Sequence, residues 1–112
     1  MKHHNYYTYI TTNPSKTTFY TGVTNNLEQR LTEHFFNRGK PETFAGKYYC
    51  YSLVYFERYL HIEEAIAREK EIKNMLRIKK LQLIKTINPK FDFLNKSIVE
   101  DWPPKYIEKR VG

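Results

Sequence analysis

Two side chains able to do chemistry stand where a purely structural helix would carry aliphatic ones. In FYTGVTNNLEQRLTEH, residues 19–34, Arg30 and His34 lie one helical turn apart. A step of about 100° per residue puts them on the side of Leu27 and Leu31, the side that should face the core. Further on, in IEEAIAREKEIK, Glu69 falls in the middle of an apolar stripe of Ile62, Ala65, Ile66, Ile72 and, beyond it, Leu76. A carboxylate placed there is costly unless paired, so Glu69 requires a positive partner: Arg30, Lys73 or a metal ion. It is either half of a structural salt bridge or a metal ligand.

Periodicity indicates the elements that must position these groups. Tyr6 to Thr12, YYTYITT, is dense in aromatic and β-branched residues and reads as a strand, with Tyr7 and Tyr9 on one face. Asn13-Pro14-Ser15-Lys16 is a turn, because proline fixes φ and the Asn and Ser side chains satisfy local backbone groups. Phe19 to Thr24 is the returning strand, with Tyr20 and Gly22 on one face and Phe19, Thr21 and Val23 on the other. Asn25 or Asn26 caps a helix that ends near Asn37, before Gly39 and Pro41. Arg38 to Tyr49 reads as a flexible loop in which Arg38, Lys40 and Lys47 interleave with Phe44, Tyr48 and Tyr49. It either contacts a nucleic acid or merely tucks Phe44 into the core. A third strand covers residues 51–57, and helices follow over Ile62–Asn74 and Leu76–Ile87. In the last helix Leu76, Leu83, Ile84 and Ile87 point inward, and Arg77, Lys79, Lys80 and Lys85 mostly outward. Glu64 and Arg68 have the spacing of an ordinary i,i+4 pair. Asn88-Pro89 ends that helix, and the tail from Asn95 is an irregular extension anchored by Trp102.

At 112 residues the chain is one domain with one modest core, too small for two lobes closing on a cofactor. A net charge of +7 and a pI near 9.5 suit either a polyanionic partner or a basic surface that is only solvated. Between Arg68 and Lys90, however, stand eight basic and two acidic residues, a density more suggestive of a phosphate-tracking face. The single Cys50 excludes a disulfide framework and a Cys-based zinc site, and fits a reducing compartment. No apolar run approaches the ~20 residues of a membrane span, and MKHHNYY lacks the apolar stretch of a signal peptide. The expectation is a cytoplasmic protein without membrane association; the sequence names no protein partner and no oligomeric state.

Taken together, YTY (Tyr7 to Tyr9), YTG (Tyr20 to Gly22), LEQRLTEH, AIAREKEIK and the late Asn88-Pro89 resemble the GIY-YIG nuclease superfamily in both residues and spacing. The resemblance is to its small single-domain bacterial members, related to the nuclease domain of the excision-repair C subunit, and covers residues 5–94. It implies an α+β fold: a small three-stranded antiparallel sheet flanked by helices, in the order β-β-α-β-α-α. Residues 1–94 would form the nuclease domain and residues 95–112 a C-terminal extension. It further implies a divalent-metal-dependent endonuclease that hydrolyses DNA phosphodiester bonds, with a role in DNA repair or processing. Tyr9 is similar to the tyrosine of the family's first signature, Tyr20 to that of the second, and Gly22 to the signature glycine. Arg30 matches the helix arginine, His34 the histidine one turn on, Glu69 the metal-binding glutamate and Asn88 the late asparagine. Tyr7-Thr8 stands where the first signature has Gly-Ile, and Thr21 where the second has Ile.

The chemistry of these residue types agrees. Phosphodiester hydrolysis needs an activated water, charge stabilisation on the phosphoryl oxygens and help for the leaving oxygen. Glu69 can hold a single hard cation, Mg²⁺ or Mn²⁺, with water and phosphate oxygens in the remaining positions. Arg30 offers two donors at once to the scissile phosphate. Among candidate general bases Tyr20 ranks first, with Tyr9 and His34 in support. Gly22 either lets the backbone pass close to substrate or marks a β-bulge. Lys40, Lys47, Lys73, Arg77, Lys79 and Lys80 are the expected contacts to the DNA backbone. With so small a contact surface, cleavage should be directed by DNA structure, with weak sequence specificity. Two other classes stay open. One is a catalytically degenerate DNA-binding module, which has no need for a carboxylate in a basic groove. The other is a basic protein-interaction domain, which salt-dependent retention on DNA would separate from both.

Overall fold

The computed structural model describes residues 5–105. β1 (Tyr6–Thr12) and β2 (Phe19–Thr24) form the expected hairpin, and β3 (Ser52–Tyr59) pairs with the other side of β1, giving an antiparallel sheet in the order β2-β1-β3. The hairpin turn is held by Asn13, whose side-chain oxygen accepts from the backbone N–H groups of Thr17 and Thr18 at 2.8 and 3.0 Å. β3 runs two residues past its expected end because Arg58 and Tyr59 pair with Tyr7 and Tyr6.

The single modest core expected from length is divided by the sheet into two. On one face, Tyr9 and Leu53 pack with Leu27 and Leu31 of α1 (Leu27–Phe36) and with Val99, which follows α5 (Asn95–Ile98). On the other, Ile10, Val54 and Tyr55 pack with Ile72 of α3 (Ile62–Lys73) and Ile84 of α4 (Arg77–Ile87). Alternation along β1 sends Tyr9 and Ile10 to opposite faces. A register shift, with Ile10 opposite Tyr55 but Thr11 opposite Leu53, leaves Val54 as the extra residue of a bulge and turns both Val54 and Tyr55 toward the α3/α4 layer. The C-terminal segment completes the first core. Asn95 accepts from Leu53 N–H at 2.7 Å and donates to the Tyr51 carbonyl at 2.9 Å, and Trp102 packs edge-on against Phe35 at 5.3 Å. The tail, expected to be irregular, thus begins with a helical turn, α5, and its residues 106–112 lie outside the described residues. Among the described residues no helix is long and apolar enough to cross a membrane.

Three expectations need correction. The flexible loop over residues 38–49 contains a helical turn, α2 (Phe44–Lys47), capped by Thr43 through its side-chain oxygen and Gly46 N–H at 3.0 Å. It is pinned by Gly39 N–H on the Gly46 carbonyl at 2.8 Å and Cys50 N–H on the Ala45 carbonyl at 2.9 Å. Gly46 is required there, since a Cβ would stand 2.6 Å from the Lys40 carbonyl oxygen and 2.7 Å from that of Asn37. The apolar stripe of α3 is only partly inward: Ala65 and Ile72 are buried, but Ile62, Ile66, Leu76 and, in α4, Ile87 are exposed, because a three-stranded sheet covers only a narrow strip of a helix. The Glu64–Arg68 pair does not form. Arg68 instead reaches Glu57 on β3 at 3.0 Å, where the carboxylate also accepts from the Tyr55 and Tyr59 hydroxyls. Burial pushes the Glu57 carboxyl up, but Arg68 and the two phenols outweigh it and hold it low; burial together with Glu57 pushes Tyr59 up to about 12.

Candidate active site

Tyr9 sits directly opposite Gly22 in the β1–β2 register, and its ring is fully buried. The phenol lies across β2 in the space that glycine leaves open. A Cβ on Gly22 would come within 2.6 Å of Tyr9 Oη, 2.7 Å of Tyr9 Cζ and 2.9 Å of Tyr20 Cε2. Gly22 is therefore a packing requirement of the two tyrosines, and the unbroken β1–β2 register through it excludes a bulge. Gly22→Ala should displace a buried ring, with an overpacking cost of about 1–3 kcal/mol. A melting temperature lowered by at least about 4 °C in calorimetry is the expected reading for a domain of this size; an unchanged midpoint would show that the strand yields freely.

α1 starts where the Asn26 side chain accepts from Gln29 N–H at 3.0 Å, and that start sets its rotation. Leu27, Leu31 and His34 face the core as expected, with Arg30 half-buried at its margin. His34 Nε2 lies 2.8 Å from Tyr9 Oη, and Arg30 Nε donates to the same oxygen at 3.4 Å. Arg30 Nη1 is held by Glu33 at 3.0 Å. Burial, and then the neighbouring guanidinium, lower the His34 pKa to about 4, so the ring is neutral near pH 7 and Nε2 can accept the phenolic hydrogen. Burial, then Tyr20, raise the Tyr9 pKa against the opposing pull of Arg30, and the group stays a phenol. Burial works against the Arg30 charge, but oxygens of Tyr9, Glu33 and Tyr20 outweigh it and raise the guanidinium further. Tyr20, half-buried, packs its ring against His34 at 5.3 Å and stacks on Phe44 at 6.4 Å. Tyr9, Tyr20, Gly22, Arg30 and His34 are thus brought together on the α1 face.

Glu69 does not join them on that face. α3 lies on the opposite side of the sheet, where the Thr8 hydroxyl donates to the Ala65 carbonyl at 2.7 Å. Glu69 has its positive partner in Lys73, at 3.1 Å, and its side chain is 19% exposed. Arg68, the residue before it, turns to Glu57 on β3, and Glu69 lies about 100° further round the helix.

The GIY-YIG catalytic domain profile matches residues 5–82 of this chain. The chain belongs to the GIY-YIG family. A UPF0213 protein of Clostridium perfringens is 40% identical over 79 residues, covering 70% of this chain and 83% of the relative. One of Syntrophus aciditrophicus is 43% identical over 75 residues, covering 63% and 80%. The solution NMR structure of a UPF0213 protein from Bacillus halodurans overlays with a TM-score of 0.49 at 25% identity, covering 85% of this chain and 98% of that one.

Other expected site residues of this GIY-YIG domain fall elsewhere. Asn88 is buried in the α3/α4 layer as a structural clamp: its side-chain amide donates to the Val54 and Asp92 carbonyls at 3.0 and 2.8 Å and accepts from Asp92 N–H at 2.9 Å. The basic residues divide between the two faces. Lys40 and Lys47 are exposed around α2, on the side of Tyr20, whereas Lys73, Arg77, Lys79 and Lys80 belong to the α3/α4 layer. Arg77 is committed to the fold, donating to the Thr17 and Lys16 carbonyls at 2.9 and 3.3 Å with its guanidinium 4.7 Å from the Phe19 ring centroid. Glu33, which orients Arg30, escapes the sequence reading, although its i,i+3 spacing was the available signal. Among the described residues no three His, Cys, Asp or Glu side chains gather into a metal cage. A lone, partly exposed carboxylate fits a hard cation whose other positions are filled by water and phosphate oxygens.

Proposed function

We propose that this chain is a divalent-metal-dependent endonuclease that hydrolyses DNA phosphodiester bonds at the open edge of β2, directed by DNA structure with weak sequence specificity and acting in DNA repair or processing. The observation that carries the reading is the chain Arg30–Tyr9–His34: a guanidinium aimed by a buried phenol, which is in turn tied to a neutral imidazole. Tyr9 and His34 are here positioning groups, since the fully buried phenol is out of substrate's reach. Arg30 keeps N–H groups beyond those given to Tyr9 and Glu33, and these would bind two oxygens of the scissile phosphate. Tyr20 stands beside that guanidinium and would take a proton from the attacking water. Glu69, on the opposite side of the sheet, would hold Mg²⁺ or Mn²⁺, with water and phosphate filling its remaining positions. Such a cation supplies charge neutralisation and activation of water. Lys40 and Lys47 would meet the flanking backbone phosphates.

The test is incubation of the purified chain with a branched or flapped DNA under Mg²⁺, Mn²⁺ or EDTA. Nicks are expected with the cations and none with EDTA. Cutting that survives EDTA, or no cutting with either ion, would overturn the reading. A catalytically degenerate DNA-binding module is the second reading, favoured by the Glu69–Lys73 ion pair, which already satisfies the carboxylate; it expects salt-dependent binding without nicks.

A further inference from the structure

The segment carrying α2 sets aromatic rings on the surface beside Tyr20. Phe44 is 51% exposed although it is among the most apolar residues of the segment, and Tyr48 and Tyr49 are exposed with it. Phe44 lies nearly parallel to Tyr20, at an interplanar angle of 27°, and touches Tyr48 with ring centroids 4.7 Å apart. Lys47 Nζ is 5.3 Å from the Tyr48 centroid, and Lys40 is exposed in the same segment. A run of exposed rings joined to a half-buried tyrosine marks a surface that meets something.

Charge and shape select the partner. An apolar peptide would suit the rings but gains nothing from the lysines or from a chain of net charge +7. A base pair inside a duplex offers its edges only, because neighbouring pairs cover both faces. An unpaired base offers a π-face of any sequence, together with phosphates on either side for Lys40 and Lys47. The geometry points to Phe44 and Tyr48 as a stacking subsite for one unpaired base of a single-stranded segment adjoining the phosphate at Tyr20. The inference rests on the nuclease reading only for the position of that phosphate; the stacking stands on the exposed rings and the lysines.

The experiment uses the full chain in EDTA, so that nothing is cut. Binding is compared between a blunt DNA duplex and the same duplex carrying a short single-stranded overhang, with 2-aminopurine as the first unpaired base. The overhang should bind more tightly by between about fivefold and a hundredfold, the scale of one base stacked on an aromatic side chain, and the 2-aminopurine fluorescence should be quenched. Phe44→Leu should bring the ratio of the two affinities close to one, and Phe44→Trp should restore it. Tyr48→Leu gives an independent reading should Phe44→Leu melt below the wild type. Equal wild-type affinities, or a ratio that survives both leucine variants, would overturn the subsite. Cleavage under Mg²⁺ is measured separately. A wild type that cuts no DNA but loses its overhang preference in Phe44→Leu sinks the nuclease reading and supports the subsite. Cleavage alongside a ratio indifferent to Phe44 does the reverse.

Discussion

Glu69→Gln is expected to abolish metal-dependent nicking while DNA binding stays intact or tightens. The amide keeps the size of the side chain but is a poor ligand for a hard cation, and it removes a negative charge that repels phosphate. Lys73, released from its 3.1 Å pairing, becomes available to the DNA backbone. The fold should hardly register the change, because Lys73 is half-exposed and such pairs contribute about 0–1 kcal/mol. A nicking assay and fluorescence anisotropy on the same preparation separate the two effects. Wild-type cleavage by the variant would leave Glu69 as the structural salt bridge and nothing more.

Arg30→Ala should lower cleavage by roughly 10² or more, the scale on which deletion of a transition-state charge stabiliser is felt. Arg30→Lys should rescue little, since an ammonium on a flexible stem lacks the planar fork that aims parallel N–H groups at two phosphate oxygens while another nitrogen holds Tyr9 Oη. A second readout keeps the role distinct from a loss of structure. The guanidinium is one of the two causes that lower His34, the larger being burial. The imidazole should therefore titrate above about 4 in the alanine variant, by NMR, while burial still keeps it below the ordinary value of about 6.5. An unmoved His34 together with unimpaired cleavage would remove Arg30 from the site.

Local periodicity carried much of this arrangement. A period of two paired Tyr7 with Tyr9 and Tyr20 with Gly22, and a helical period put His34 beside Leu27 and Leu31, because neighbours along the chain decide those relations. Which face of the sheet α3 would cover was not legible, since the crossing of β3 over to α3 is a matter of long-range packing. The Glu57–Arg68 contact was hidden for a similar reason: Tyr55, Glu57 and Tyr59 alternate along β3, but only the fold shows that Arg68 completes them. Arg77 read as an outward contact to the DNA backbone because cation–carbonyl and cation–ring contacts leave no periodic trace. Gly22 needed the register, which sets it across from a ring rather than an aliphatic side chain.

The pinned segment around α2 has a consequence for association. Ordering a free backbone costs roughly 1–2 kcal/mol per residue, and a disordered recognition loop would meet that cost each time it bound. Here the Thr43 cap, the Gly39–Gly46 bond and the close approach at Gly46 hold the backbone in place as part of folding. Lys40, Phe44 and Lys47 thus project from a preorganised backbone, and if they meet DNA as proposed, the free energy of each contact would be retained as affinity instead of being spent on conformational entropy. A small domain can in this way hold a polyanion through few contacts.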